Sequence, residues 1–345
     1  MKMKAIRFYA PGDIRYEETE LPELKNGEIR VKIKAALTCG TDLKTYRRGH
    51  PVIIKSVPCG LGHEFSGVVD SVAEGVTSVK VGDRVVCANS APCGECFYCK
   101  KGNPNLCENI EFLNGAYAEY INVPARIVEK NTYLLPENTD FESAAFSEPL
   151  ANVVHGIELT DVRPGQTVCV YGVGTIGLMF VRLAKLKGAR VIAAGRNPLK
   201  LKLAKEFGGA DEVVDLKSCD NPVKTILDLT EGGHGVDAAI ECVGLPETWE
   251  LMFKLVRKGG TINLFGGCKG GTSITVDTKR LHYDQLKVIG VFHHTPKYFK
   301  QAFELICDGK LDVKKLVTMT MPLEKTRDAL EAAGAGEAVK VLIKP

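Results

Sequence analysis

The chain has 345 residues, of which 45% are hydrophobic, and 45 basic against 42 acidic residues give a formal net charge of +3. This length accommodates two domains with sizeable cores, and a near-neutral charge without a Lys/Arg-rich block argues against a nucleic-acid partner. No apolar run approaches the ~20 residues that span a bilayer, and residues 1–14 lack the apolar core of a secretion signal, so we expect a cytoplasmic protein without a membrane partner.

The first part of the chain is predicted to form short strands between turns. Residues 28–35 alternate apolar and polar side chains, as a half-buried strand does, and residues 65–72 and 84–86 are further strand candidates. Glycines and Asp83 punctuate these segments. Strands spaced in this way predict a small barrel or sandwich.

Twelve cysteines are unusual for a cytoplasmic chain, and metal ligation explains them better there than disulfides do. Four of them lie between residues 93 and 107, in a lobe at about residues 87–110: Cys93, Cys96, Cys99 and Cys107. Four thiolates suit tetrahedral zinc, and closed four-cysteine sites are usually structural. An iron–sulfur cluster is the main alternative, but the bacterial ferredoxin pattern has a shorter last gap and a proline where this chain has Glu108. The lobe therefore predicts a structural zinc site and says nothing about catalysis.

From about residue 150 the pattern changes to alternating strands and helices. Short apolar runs predict strands at 167–171, 190–194, 212–216, 236–242, 261–265 and 287–292, and helical spacing predicts helices at 176–186 and 199–207. This alternation is typical of right-handed βαβ units around a parallel sheet. The tail predicts helix, strand, helix and strand at 298–307, 317–321, 323–333 and 339–343. Periodicity does not decide which half of the chain the tail joins.

A glycine-rich loop matching G-x-G-x-x-G lies directly between a predicted strand and a predicted helix, the context that a dinucleotide-binding motif requires. Gly172 permits the tight turn, Gly174 lets the backbone approach a pyrophosphate, and Gly177 lets the helix pack close to the strand. The start of the helix presents N–H groups to the anion. A purely structural turn is the alternative, and cofactor binding is favoured over it. Further candidate cofactor contacts are Thr175, Ile176 and Val243.

The end of the second strand of this half bears on the choice between NAD(H) and NADP(H). An NAD enzyme usually carries Asp or Glu there, to bind the ribose 2′-hydroxyl, whereas here Gly195 takes that place. Arg196 and Lys200 are able to bind a 2′-phosphate, which a carboxylate would repel. We therefore expect NADP(H) to be favoured over NAD(H). The alternative is that Arg196 is a solvated surface cation, stacking at most on adenine.

Candidate ligands for a second metal ion are scattered along the chain. His63 and Glu64 are adjacent, Cys39 lies in a small-residue turn after a strand, and Glu148 precedes a proline where the chain enters its second half. Each signal is weak alone. A lone histidine is more often a hydrogen-bonded core residue, a lone cysteine a small hydrophobe, and a Glu-Pro pair a turn.

Together these segments resemble the zinc-containing medium-chain alcohol dehydrogenase family over essentially the whole chain. The segment from Gly62 through Asp83 to Val85 matches the zinc signature of that family. Cys-Gly-Thr-Asp at 39–42, the four-cysteine lobe, Ser-Glu-Pro at 147–149 and the glycine loop occur in the order that the family has. The Cys-Gly-Thr-Asp and Glu-Pro elements look most like the polyol (sorbitol) and threonine dehydrogenase branch.

The resemblance implies an α/β protein with a GroES-like, β-rich catalytic domain at 1–150 and 293–345. A Rossmann domain with a doubly wound parallel sheet would occupy 151–292. The resemblance also implies Cys39 and His63 as catalytic zinc ligands. Glu64 and Glu148 would be the acidic residues of this site, one binding zinc directly and the other holding the zinc-bound water. Which carboxylate does which stays open.

In the residues expected to transfer the proton, this sequence differs from the family at one position. Thr41 would be the hydroxyl that accepts the substrate proton, and family members often carry a histidine three residues later as the relay to solvent. This sequence has Lys44 there. Either Lys44 replaces the histidine, or the proton leaves through Thr41, the cofactor ribose and water.

The resulting expectation is a zinc-dependent oxidoreductase that transfers a hydride between a secondary alcohol or polyol, or the corresponding ketone, and NAD(P). Two zinc ions per subunit are expected, one catalytic and one structural. The expected assembly is a homodimer or homotetramer. The only other expected partner is the substrate, a small-molecule alcohol or polyol. A threonine-type amino-alcohol 3-dehydrogenase is one alternative. A non-catalytic protein that binds dinucleotide and zinc is another.

Overall fold

A computed structural model describes residues 2–50 and 54–345 of the chain. The chain divides into two compact units, Met1–Ala151 with His294–Pro345, and Asn152–His293. Within the described ranges, none of the helices combines the length and the apolar composition needed to cross a membrane.

The elements are numbered in chain order. The strands are β1 (Lys2–Ala10), β2 (Asp13–Glu20), β3 (Ile29–Leu37), β4 (Cys59–Gly60), β5 (Phe65–Val72), β6 (Arg84–Cys87), β7 (Ser90–Ala91), β8 (Glu111–Phe112), β9 (Tyr120–Val123), β10 (Thr132–Leu134), β11 (Thr167–Tyr171), β12 (Arg190–Gly195), β13 (Glu212–Asp215), β14 (Val236–Glu241), β15 (Val256–Leu264), β16 (Lys287–Gly290), β17 (Val317–Pro322) and β18 (Lys340–Lys344). The α-helices are α1 (Gly40–Arg48), α2 (Phe97–Lys100), α3 (Ala125–Asn131), α4 (Phe141–Ala144), α5 (Ser147–Thr160), α6 (Thr175–Leu186), α7 (Pro198–Glu206), α8 (Pro222–Asp228), α9 (Pro246–Leu255), α10 (Thr278–Tyr283), α11 (Pro296–Cys307) and α12 (Thr326–Ala335). Single 3-10 turns occupy Pro104–Leu106, Glu231–Gly233, Val313–Leu316 and Leu323–Lys325.

The first unit is built on a sheet with strand order β10-β6-β5-β3-β18-β17, in which β9 also pairs with β3. Strand β3 buries Ile29, Val31 and Ile33 and exposes Lys32 and Lys34, the alternation expected of a strand with one face on the core. A second sheet has the order β2-β1-β4. The last strand, β18, pairs antiparallel with β3, so the tail of the chain completes this unit.

Three chain segments meet at one end of β3. Strand β3 runs antiparallel to β5, with Ala36 opposite Phe65, and antiparallel to β18, with Leu37 opposite Leu342. The residues just after β3, just before β5 and at the start of β18 are therefore brought to the same edge of the sheet. The candidate metal ligands lie at this edge.

The second unit is a parallel sheet with strand order β13-β12-β11-β14-β15-β16. Its central strands are continuous apolar runs because helices cover both faces of such a sheet; Val168, Cys169 and Val170 of β11 are each 0% exposed. The strand order reverses between β11 and β14. Such a switch point forms a crevice outside the carboxyl ends of the strands. The β-rich first unit and the parallel sheet of the second unit agree with the α/β architecture that the sequence predicts.

Periodicity alone did not predict some of the elements. Strand β2 carries mostly charged side chains and buries only Ile14, so it lacks an alternating pattern. Cys39, placed in a turn from the sequence, is the N-cap of α1. The Glu-Pro pair at 148–149, for which a turn was the ordinary interpretation, lies in the first turn of α5, where a proline removes no helical hydrogen bond.

Candidate functional site

The donor atoms of Cys39, His63 and Glu64 lie within 4.8 Å of one another. Cys39 is the extended residue before α1, and its Sγ accepts a hydrogen bond from the Thr41 N–H at 3.5 Å. His63 and Glu64 directly precede β5. Around tetrahedral zinc with bonds of about 2.0–2.3 Å, donor atoms are separated by roughly 3.3–3.8 Å. A thiolate, an imidazole and a carboxylate in this arrangement fit a zinc ion.

A buried hydrogen-bond chain orients the His63 ring. His63 Nδ1 lies 3.0 Å from Asp42 Oδ1, and the Tyr117 hydroxyl donates to Asp42 Oδ2 at 2.6 Å. With its Nδ1–H donated to a carboxylate, the imidazole keeps the lone pair of Nε2 for a metal, as metal-binding histidines generally do. Burial lowers the pKa of His63, but the negative charges of Asp42 and Cys39 outweigh it, and the pKa lies well above the usual range.

Glu64 is completely buried and pairs with a lysine from the last strand. Lys340 Nζ lies 2.5 Å from Glu64 Oε2, yet neither Glu64 oxygen receives a hydrogen bond of normal geometry among the described residues. Burial raises the pKa of Glu64 to about 7, with Lys340 opposing the rise and Glu148 adding to it. Buried carboxylate oxygens are normally satisfied by a hydrogen bond or an ion, so the free acceptor positions of Glu64 are consistent with zinc binding.

Glu148 is buried in the first turn of α5, close enough to Glu64 to raise its pKa. Its Oε1 lies 3.7 Å from His294 Nε2, which is 2.9 Å from Asn89 Oδ1. Among the described residues, the cluster of donor atoms within 4.8 Å of one another contains Cys39, His63 and Glu64 but not Glu148. The role of Glu148 as a ligand therefore stays a prediction. The Thr41 side chain is half-buried and that of Lys44 is exposed.

Cys93, Cys96, Cys99 and Cys107 of the 87–110 lobe form a separate cluster in which all donor atoms lie within 4.8 Å. The Sγ–Sγ distances are 3.4 Å for Cys93–Cys107, 3.8 Å for Cys96–Cys107 and 4.0 Å for Cys93–Cys99. A tetrahedron with Zn–S bonds of ~2.3 Å has edges of about 3.8 Å. Backbone N–H groups of Cys99 and Glu108 lower the pKa of Cys96 to about 6. The geometry fits a closed four-thiolate zinc site.

The glycine loop joins β11 to α6 at the switch point of the second unit. Gly172 has φ +97°, and a Cβ there would lie 2.7 Å from Val243 Cγ2. A Cβ on Gly177 would overlap the Gly172 carbonyl oxygen, whereas one on Gly174 would meet only open space. Gly174 is the N-cap of α6 and has no side chain to cap it. The helix start is therefore open to an anion.

The candidate specificity residues follow β12. Gly195 is the last residue of that strand, and a Cβ there would overlap Val173 Cγ2. Arg196 is exposed, and Lys200 is partly buried in the first turn of α7, where burial lowers its pKa. β12 itself ends without an acidic residue, although Asp215 at the end of β13 lies opposite Gly195. Arg196 and Lys200 are the two cations that follow β12 and are able to bind a phosphate.

Sequence reasoning missed Asp42, Tyr117 and Lys340. Asp42 had a signal, because it lies one helical turn after Cys39 within the Cys-Gly-Thr-Asp motif. Tyr117 and Lys340 had none, since each reaches the site from a distant strand or loop and its immediate neighbours in the sequence are ordinary core residues.

Comparison with known proteins gives matches along the chain. A family model described as an alcohol dehydrogenase GroES-like domain matches residues 25–136, and one described as a zinc-binding dehydrogenase matches residues 175–308. Sorbitol dehydrogenase of Bacillus subtilis is 33% identical, with 99% of this chain and 97% of the relative covered. L-threonine 3-dehydrogenase of the same organism is 33% identical, with 95% and 94% covered. A Sinorhizobium meliloti protein described as a zinc-binding dehydrogenase, solved with NADP bound, superposes with a TM-score of 0.91 at 32% identity over 100% of both chains.

Proposed function

Since the chain belongs to the zinc-containing medium-chain alcohol dehydrogenase family, in its polyol branch, we propose that it is a zinc-dependent dehydrogenase of secondary alcohols or polyols. It would transfer a hydride between the alcohol carbon and the nicotinamide of NAD(P). The observation that carries this proposal is the cluster of Cys39, His63 and Glu64 donor atoms within 4.8 Å. We assign this chemistry to residues 1–150 and 293–345, and dinucleotide binding to 151–292.

Cys39 and His63 would hold the catalytic zinc, together with Glu64 or Glu148, one bound directly and the other through water. When bound, zinc supplies Lewis acidity that lowers the pKa of a hydroxyl from about 16 to about 7. Asp42 fixes the His63 ring. The Thr41 hydroxyl would accept the substrate proton. Because the Lys44 side chain is exposed, it is available to exchange that proton with water.

A second zinc ion would be structural, held by the four thiolates of the 87–110 lobe. Four protein ligands leave no open position for substrate. Backbone N–H groups donate to the sulfurs, as Asn109 N does to Cys107 Sγ at 3.3 Å, and those of Cys99 and Glu108 lower the pKa of the Cys96 thiol. The role of this ion would be to fold the lobe.

NADP(H) is proposed to be favoured over NAD(H). Arg196 and Lys200 offer positive charge after β12, and Gly195 takes the place of the acidic residue that NAD enzymes usually carry at this strand end. One relative is solved with NADP bound and one from Escherichia coli with NADH bound, so the proposal depends on the residues that follow β12.

The substrate is proposed to be a small polyol, because sorbitol, D-arabinitol and D-xylulose enzymes are among the relatives. The L-threonine 3-dehydrogenase relative favours one second candidate, a vicinal amino alcohol. The enzyme is further proposed to be a homodimer or homotetramer, which size-exclusion chromatography with light scattering would measure.

A steady-state assay over polyols, secondary alcohols and threonine, each with NAD⁺ and NADP⁺, tests the proposal. We expect turnover of at least one polyol, and its loss in His63→Ala with the circular dichroism spectrum unchanged. Threonine turnover alone would select the second candidate. Near-normal kcat in His63→Ala, or no turnover with any substrate although the protein binds zinc and dinucleotide, would contradict the proposed function.

A further inference from the structure

Glu241, the last residue of β14, is a buried carboxylate to which the proposed function assigns no role. It is 0% exposed. Its strand pairs in parallel with β11, where Glu241 lies opposite Tyr171, and with β15, where it lies opposite Leu264. Since the strand order reverses between β11 and β14, Glu241 lies at the switch point, where dinucleotides bind outside the carboxyl ends of the strands.

The Glu241 carboxylate accepts hydrogen bonds from the loop that follows its own strand. Val243 N–H donates to Oε1 at 2.7 Å, and Gly244 N–H lies 3.0 Å from Oε1 and 3.1 Å from Oε2. The Thr248 hydroxyl donates to Oε1 at 2.8 Å. These donors are neutral, and burial raises the pKa of Glu241 despite their opposing effect. A buried carboxylate is costly unless hydrogen-bonded. Three of its four contacts come from the loop that follows β14 and the fourth from Thr248 in α9, so the carboxylate fixes this loop.

This role is visible in the packing of the loop at 242–245. A Cβ on Gly172 would lie 2.7 Å from Val243 Cγ2, and one on Gly244 would lie 2.7 Å from the Gly267 carbonyl oxygen. A Cβ on Gly266 would lie 2.6 Å from Glu241 Oε2. The carboxylate therefore lies between the loops that follow β14 and β15, and Val243 of the first loop lies beside Gly172 at the start of the glycine loop.

We propose that Glu241 is a positioning residue for the dinucleotide, because its carboxylate holds residues 242–245 so that Val243 lines the crevice beside the glycine loop. Val243 keeps 41% of its surface exposed beside Gly172, which is surface that a cofactor would cover. A carboxylate is suited to this role because both of its oxygens only accept hydrogen bonds. A glutamine would turn an NH₂ group toward N–H donors. The inference rests on the proposed dinucleotide binding by this unit.

The test compares Glu241→Gln with the wild type in the zinc-loaded full-length chain. The dissociation constants of NADPH and NADH are measured by titration calorimetry, and KM is measured for cofactor and for alcohol. Losing hydrogen bonds to a charged group predicts a rise of about tenfold in both cofactor dissociation constants, with the KM for alcohol nearly unchanged. Ile226→Val is the matched control, since Ile226 is a buried core residue on α8 whose truncation lowers Tm without touching the loop.

A rise in cofactor dissociation constant in Glu241→Gln that Ile226→Val does not show would support the proposal. The same dissociation constant in both variants would overturn it, because Glu241 would then act only through stability. If Glu241→Gln does not fold, Thr248→Val removes the hydrogen bond to Glu241 together with the acceptor for Leu245 N–H, and a two- to threefold rise supports the proposal whereas no rise overturns it. A wild type that binds neither cofactor would overturn the proposed function as well, and this result is distinguishable because it appears before any variant is compared.

Discussion

Lys340 Nζ lies 2.5 Å from Glu64 Oε2, with the two side chains only 4% and 0% exposed. Lys340 begins the last strand, β18, and Glu64 directly precedes β5. The two meet because β3 pairs with both strands. The ion pair therefore places the buried charge of one candidate zinc ligand in contact with a counter-charge from the end of the chain.

In the zinc-free protein, replacing Lys340 by methionine would leave the Glu64 carboxylate buried without its counter-charge. We expect Lys340→Met to lower the free energy of unfolding by about 3–5 kcal/mol, the usual effect of breaking a buried pair. Urea unfolding followed by circular dichroism measures this. Lys344→Met is the control on the same strand, because Lys344 is 54% exposed in its pair with Glu142, and an exposed pair contributes at most ~1 kcal/mol. Equal, small losses in both variants would show that the buried pair does not stabilise the fold.

Replacing Asp42 by asparagine would remove the carboxylate that accepts from His63 Nδ1. Residues that orient a metal ligand in this way change metal affinity by about 10–100-fold when substituted, so we expect Asp42→Asn to weaken the catalytic zinc by that factor. Competition with a chromophoric chelator measures it. Tyr117→Phe keeps the carboxylate and removes only the hydrogen bond of 2.6 Å, so its effect should be smaller. Unchanged zinc affinity in Asp42→Asn would contradict this role.

Replacing Cys96 by serine would remove one of four thiolates and leave the lobe without a closed site. We expect the zinc content to fall from two ions per chain to one, with a lower Tm and retained activity in the protein that stays folded. Elemental analysis and differential scanning calorimetry measure these quantities. Cys59→Ser, at a half-buried cysteine outside the cluster, should keep both ions. Two zinc ions in Cys96→Ser would be inconsistent with a four-thiolate site.

Replacing Arg196 by alanine would remove a cation expected to contact the 2′-phosphate. Hydrogen bonds to charged groups contribute about 1.5–3 kcal/mol, so the KM for NADP⁺ should rise by roughly 10–100-fold, while the KM for NAD⁺ should stay nearly constant. Lys202→Ala is the control, since Lys202 is exposed on α7 and pairs with Glu206. Equal changes in the KM for NADP⁺ and for NAD⁺ would mean that Arg196 does not contact the 2′-phosphate.

Local sequence patterns predicted many of the strands and helices. Strands β5 and β11 have the bounds that alternation and apolar runs predict, because burial of a strand depends on side chains within the strand itself. Helices α1 and α5 were not predicted, since α1 is short and begins with Gly-Thr-Asp, and α5 has a proline in its first turn. Propensity is a weak signal for such helices, which depend on packing for most of their stability.

The sequence by itself determined the elements whose geometry is local: the glycine loop at 172–177, the four closely spaced cysteines, and the donor types at Cys39 and His63. Tertiary structure alone decided that Lys340 reaches Glu64, that Tyr117 and Asp42 orient His63, and that Glu241 holds the loop beside Gly172. The physical reason is the range of the interactions. Spacing along the chain sets which atoms meet within a turn, whereas strand pairing and burial set which distant side chains share a low-dielectric site.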